Sequence, residues 1–226
     1  MLHFHSTMKK LAAFLIALAT GAGFLMSAPA QAATPTAGKE YKVLQTPQPV
    51  AAGKIEVTEF FWYGCPHCYD FENTWTAWVA KQGKDVVIKR VPVAFNAKLE
   101  PHTRIYYALE ALGKLDAKDA SGRTLHDRVF DQLHKNYRSM SEPDQIADFM
   151  AANGVDRKAF LDAYNSFGVN ANTKRAAQLA DQYKIEGVPT IVVQGKYTTS
   201  PADAGSNVGA AQTLDYVVQQ VRDHKM

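Results

Sequence analysis

Trp62-Tyr63-Gly64-Cys65-Pro66-His67-Cys68 joins an apolar, β-prone run, Ile55 to Tyr63, to a helical pattern, and it carries the only two cysteines of the 226-residue chain. Gly64 is a turn residue, and Pro66 suits the first position of a helix, where its missing N–H costs nothing. A strand therefore feeds a helix at Cys65. Within that helix Cys68, Phe71, Trp75, Trp78 and Val79 recur at helical spacing and form one apolar face. Cys68 then points inward, and Cys65, one turn earlier, sits at the helix tip where its sulfur can face solvent. The run Val86 to Val93 reads as a second buried strand, and strand, helix, strand with a right-handed crossover gives a parallel pair.

Working outward, the segment from Ala33 to Gly53 is rich in Pro, Thr, Gly and Ala, which suits a flexible lead-in with a short edge strand near Tyr41 to Leu44. It is too short for a separate dimerisation domain. After Phe95 the pattern is helical: Thr103 to Leu112, Arg123 to Asn136, Asp144 to Asn153, Arg157 to Asn165 and Thr173 to Tyr183. Asn153-Gly154 and Gly168 supply stops, and Ser141-Glu142-Pro143 supplies a start. Strand character returns at Val188 to Val193 and, after a turn at Gly195-Lys196, at Tyr197 to Thr199; a last helix covers about Ala210 to His224. A β-α-β unit and a β-β-α unit thus flank a helical insert.

Ahead of all this, Lys9 and Lys10 precede an uncharged stretch, Leu11 to Leu25, and small residues that offer cleavage near Ala32. This reads as a secretory signal peptide over residues 1–32. The competing reading is a membrane anchor, but a span wants about 20 apolar residues and this stretch is shorter, with Gly21 and Gly23 inside it. Its removal takes two lysines and no acids, lowering the formal net charge from +3 to +1. That balance leaves no electrostatic case for nucleic acid or an anionic membrane surface. Hydrophobic residues make up 46% of the chain, enough for a globular core. Export places the two cysteines where disulfides persist, yet one pair four residues long staples little, so the pair is available for chemistry.

The thiolate, not the thiol, attacks a disulfide or leaves from one, and unpaired N–H groups and the dipole at a helix N-terminus stabilise it. Cys65 has that position, and His67 can add a cationic or hydrogen-bonding contact. Because the thiolate exists only in the reduced form, stabilising it makes the disulfide a stronger oxidant. Cys-x-x-Cys is also half a zinc site, which would recruit two of His102, His126 and His134; their spacing is not of a zinc type.

Glu59 alternates with Ile55, Val57 and Phe61, a carboxylate on an apolar strand face. Two readings stand: a desolvated proton acceptor for the Cys68 thiol, or a structural ion pair with Lys89 or Arg90. Gly187-Val188-Pro189-Thr190 places a proline at a strand entry. A cis Val188–Pro189 bond would leave the Val188 backbone groups free for an extended substrate strand beside Cys65; a trans entry proline is the plainer alternative. Trp62, Tyr63 and Tyr197 form either an exposed apolar rim or part of the core.

The signal peptide, Glu-Phe-Phe ahead of Cys65-Pro66-His67-Cys68, the helical insert, and Gly187-Val188-Pro189-Thr190 leading to Gln194-Gly195-Lys196-Tyr197 together resemble the DsbA family of periplasmic thiol:disulfide oxidases. The Pro66-His67 dipeptide is the specific part of the match. The resemblance spans nearly the whole mature chain. It implies an α/β thioredoxin fold at residues 33–96 and 184–226 carrying an inserted helical domain at 97–183. It also implies Cys65 as nucleophile, Cys68 as buried resolving thiol, His67 as stabiliser of the Cys65 thiolate and Pro189 as a cis proline. The low-pKa nucleophile and strongly oxidising couple are known properties of that family and enter only through the resemblance.

A periplasmic monomer is expected, with reduced, unfolded exported proteins as substrates and a DsbB-like quinone-linked membrane reoxidase as partner. No cofactor beyond the Cys65–Cys68 disulfide, no metal and no nucleic acid are expected. Where the family often has a buried lysine facing the strand glutamate, this chain offers Lys89 or Arg90, and an arginine cannot shuttle a proton. Two other functions compete: a disulfide isomerase or reductase, disfavoured by the missing dimerisation segment, and an exported peptide-binding chaperone with incidental cysteines.

Overall fold

The computed structural model describes residues 34–226, so the expected signal peptide lies outside the described residues. The order is β1 (Lys42–Val43), β2 (Ile55–Phe61), α1 (Pro66–Val79), β3 (Val86–Pro92), α2 (Glu100–Ala111), α3 (Leu125–His134), α4 (Pro143–Ala152), α5 (Arg157–Tyr164), α6 (Phe167–Gln182), β4 (Thr190–Val193), β5 (Tyr197–Thr199) and α7 (Asn207–Arg222). The sheet runs β1-β5-β4-β2-β3. β2 and β3 are parallel, with α1 as the crossover, and pair Glu59 with Arg90; β2 pairs antiparallel with β4, Glu59 opposite Ile191.

Nearly every residue of β2 is buried on both of its faces, the polar Thr58 and Glu59 included, as befits a central strand covered on two sides. On one face Ile55 and Val57 pack with Phe71, Trp75 and Trp78 of α1 and with Leu214, Val217 and Val218 of α7. On the other, Phe60 packs with Val192 and with Ala176, Ala180 and Tyr183 in and after α6. Each such fully buried aromatic or aliphatic side chain contributes about 1.5–3 kcal/mol. A third cluster brings Phe61, Tyr63, Cys65 and Cys68 together with Ile105, Leu109, Val129 and Phe130 from α2 and α3. The helices between β3 and β4 therefore share a core with the cysteine motif.

Most element boundaries fall within a few residues of the sequence reading, with one larger departure. α6 begins at Phe167, not Thr173, and Gly168 lies inside it instead of stopping a helix. Ser166 is the reason: its hydroxyl accepts the Val169 N–H and caps the helix six residues early. The β4–β5 turn has Gln194 and Gly195 at φ 51° and 64°. A Cβ on Gly195 would stand 2.1 Å from the Gln48 carbonyl oxygen, so only glycine lets the lead-in lie against this turn. Among the described residues no helix is long and apolar enough to cross a membrane.

Candidate active site

Cys65 is the N-cap of α1, and its sulfur does the capping: Sγ accepts the Cys68 N–H at 3.3 Å, with Pro66 in the first turn. This is where serine or aspartate usually sits, and a sulfur there meets the same unpaired donors. In its protonated form the thiol donates to the Val188 carbonyl, whose oxygen lies 3.3 Å from Sγ. The Val188–Pro189 bond is cis. The sulfur was expected to face solvent, but Cys65 is only 6% exposed. The Val188 carbonyl against Cys65 accounts for the difference.

The two cysteines are unlinked, and their environments separate them. The Cys68 thiol hydrogen bond, working against burial and aided by the N–H groups of Cys68 and His67 and by the charge of His67, brings Cys65 down to about 6. Cys68 has no exposed surface. Burial first, then the hydrogen bond to Cys65 and the charge of Glu59, pushes its thiol far above the ordinary range. One sulfur is thus held as an anion at neutral pH while its neighbour keeps a proton, the asymmetry thiol–disulfide exchange requires.

His67, between the two cysteines, is exposed. With Asp70, Val188, Pro189 and Thr190 it lines a groove of about 880 Å³ that continues along Val43 and Leu44. Tyr63 and Tyr197 belong to the core and Trp62 is half-buried, so no three-residue aromatic rim is present. The Trp62 indole lies over Gly64, where a Cβ would meet the ring at 2.3 Å. A side chain before Cys65 would therefore displace the Trp62 ring.

Glu59 is 1% exposed in the middle of β2. The residue that faces it is Arg90, whose Nε stands 3.0 Å from Glu59 Oε2; Lys89 points the other way and pairs with Glu56 at 2.6 Å. Burial pushes Glu59 up to about 8 against the pull of Arg90, and the charge of Glu72 adds to the rise. Glu72 is the opposite case: burial opposes its charge, but Arg90 above all holds it down at about 2.

Glu72 was not singled out in the sequence, and His126 was named only as a possible zinc ligand. Glu72 was legible, since it falls at helical spacing between Cys68 and Trp75 and puts a carboxylate in the apolar stripe. His126 was not, because only the packing of α3 brings it to β3. Its Nδ1 is 2.7 Å from the Tyr63 hydroxyl and its Nε2 meets Arg90 Nη1. His134 reaches the Tyr63 carbonyl at 2.8 Å and His102 stacks on Trp62. Among the described residues no group of three or more His, Cys, Asp or Glu is placed to hold a metal.

Comparison with known proteins agrees with this geometry. The model of the DSBA-like thioredoxin domain family matches residues 56–211. The chain is 47% identical over 220 residues to the thiol:disulfide interchange protein DsbA of Burkholderia cepacia, covering 96% of this chain and 99% of that one. It is 42% identical over 186 residues to the protein of the same name from Azotobacter vinelandii, covering 82% and 84%. The crystal structure of Pseudomonas aeruginosa DsbA superposes with a TM-score of 0.78 at 40% identity, over 84% of this chain and 96% of that one. The thioredoxin-like fold implied by the resemblance is thereby shown, and the chain belongs to the DSBA-like thioredoxin domain family of thiol:disulfide oxidoreductases.

Proposed function

We propose that this oxidoreductase donates the Cys65–Cys68 disulfide to reduced, unfolded exported proteins in the periplasm, working as a monomer after cleavage of the signal peptide near Ala32. The observation that carries the reading is the sulfur cap: Cys65 Sγ accepts the Cys68 N–H, a contact worth most when the sulfur is an anion. The reduced state is stabilised by it, so the disulfide gives itself up readily.

The exchange balances without an added cofactor. A substrate thiolate attacks Cys65 Sγ, the Cys65–Cys68 bond breaks, and Cys68 leaves as a thiolate that takes a proton; Glu59 is the buried group that supplies it. A second substrate thiolate then attacks the substrate sulfur of the mixed disulfide and Cys65 leaves as a thiolate. The substrate has lost two electrons and the enzyme has gained them. Pro66 starts the helix that presents both sulfurs, His67 favours the Cys65 anion, and Val188 and Pro189 border the approach to Cys65. Regeneration requires a DsbB-like quinone-linked reoxidase in the membrane, and in that direction Glu59 accepts the Cys68 proton.

Oxidation of a reduced, unfolded substrate by the wild-type protein and by Cys65→Ala tests this. Oxidation by the wild type and none by the variant supports the reading. Equal oxidation by both, with aggregation suppressed, would favour a chaperone with incidental cysteines.

A further inference from the structure

Three groups from three elements contend for one guanidinium. Arg90 Nη2 donates to Glu72 Oε1 of α1 at 2.7 Å, and Nη1 donates to His126 Nε2 of α3. Arginine has no acceptor, so the tautomer that suits Arg90 leaves His126 Nε2 without a proton, 3.6 Å from Glu72 Oε2, and turns Nδ1–H to the Tyr63 hydroxyl. Glu59 is left with Nε, 3.0 Å from Oε2, but that N–H is not aimed at the oxygen, and Oε2 is buried without a hydrogen bond. The guanidinium is a rigid planar fork, and an orientation that serves Glu72 and His126 leaves Glu59 with proximity to charge only.

We propose that Glu72 and His126 are positioning residues that draw the Arg90 guanidinium away from Glu59, so that this buried carboxylate stays short of hydrogen bonds and able to exchange a proton with Cys68. The proposal rests on the reading of Glu59 as proton partner of Cys68 and adds what keeps it in that role. A buried carboxylate fully paired with arginine holds its charge and is a poor base. One short of hydrogen bonds binds a proton more readily, and the second carboxylate on the same cation pushes the same way. The other titratable groups around the cluster are Cys68 of α1, Tyr63 after β2, Tyr106 of α2 and Asp127 of α3. The arrangement makes the helical insert, through His126, part of the proton chemistry beneath the cysteines.

The test is a carbon-13 carboxyl NMR titration of Glu59 in the reduced protein. In His126→Asn the amide can reach the position of Nδ1 but not that of Nε2, so Arg90 loses an acceptor and turns to Glu59. The Glu59 midpoint should fall by about one pH unit or more. In His126→Gln an amide oxygen can take the place of Nε2, and the midpoint should stay with the wild type. Glu72→Gln, which weakens the second competitor, should lower it too. A midpoint that stays put in His126→Asn, or moves equally in His126→Gln, overturns the proposal, even if both variants melt at lower temperature. Should His126→Asn fail to fold, an unmoved midpoint in Glu72→Gln overturns it. Exchange of the wild-type cysteines with glutathione is read separately, and its absence would instead sink the reading of the site.

Discussion

Cys65 Sγ stands 3.3 Å from the backbone nitrogen of Cys68, so the residue that caps helix α1 is also the sulfur proposed to react. Forming the disulfide removes the charge from this cap, and breaking it restores the charge. Helix capping and redox chemistry therefore draw on the same interaction.

Reduced protein should lose stability as pH falls. Cys65 is held down at about 6 in the folded state, against an ordinary thiol value of 9.0. A lowered pKa contributes stability that is complete above the unfolded value and disappears as pH drops through the folded one, here from about pH 9 to about pH 6. The full shift corresponds to about 4 kcal/mol, and screening by solvent at the helix tip reduces it to about 2. Urea unfolding of the reduced protein and of Cys65→Ala at both ends of this window should show their difference shrinking by that amount at the acid end; a constant difference contradicts it.

His67→Ala should raise the Cys65 pKa, but modestly. The Cys68 thiol hydrogen bond is the largest favourable contribution, and the charge of His67 the smallest. A rise of about half to one pH unit is expected by thiolate absorbance, with a disulfide less oxidising by no more than about 30 mV. An unchanged titration would remove His67 from the account.

Cys68→Ala removes that largest contribution and leaves the backbone N–H. The Cys65 thiolate should become harder to form than in His67→Ala, by about one pH unit or more in total. Given a disulfide-bonded substrate, in the reverse of substrate oxidation, Cys65 alone opens that bond, and mixed disulfides should accumulate because no Cys68 thiol remains to resolve them. Failure to trap them on a non-reducing gel would argue against Cys65 as the attacked sulfur.

Arg90→Met leaves Glu59 and Glu72 buried without their shared cation. A loss of about 3–5 kcal/mol in urea unfolding at neutral pH is expected. Glu59→Gln should do the reverse as pH rises. The raised pKa of Glu59, about 8, means the native carboxyl prefers its proton. Its stabilising contribution is present below the ordinary value of 4.5 and is lost as pH climbs to about 8. The variant should therefore gain on the wild type by about 2 kcal/mol or more across that range, and slow proton transfer to Cys68; a gain confined to acid pH contradicts the sign.

Local pattern explains what could be read in advance. The strand–turn–helix at Cys65, the parallel partner strand and the inner face with Cys68, Phe71 and Trp75 all follow from periodicity and from Gly64 and Pro66. The start of α6 escaped because Gly168 outweighed the capping hydroxyl of Ser166 in a reading by residue type. Cys65 was expected at the surface because the Val188 carbonyl that meets it lies 123 positions away. The choice between Lys89 and Arg90 turned on strand register, which pairs Glu59 with Arg90 and leaves Lys89 on the opposite face with Glu56. His126 meets Arg90 across 36 positions, through the packing of α3.

Stabilisation of the Cys65 thiolate should be what makes this pair an oxidant. The most direct measurement is the equilibrium of the Cys65–Cys68 couple with reduced and oxidised glutathione at neutral pH. A thiol brought from 9.0 down to about 6 favours the reduced state by about tenfold at pH 7, or about 30 mV from this source alone. The couple should be clearly more oxidising than thioredoxin, at about −270 mV, and less oxidising in His67→Ala than in the wild type. A wild-type potential at or below that of thioredoxin would contradict it.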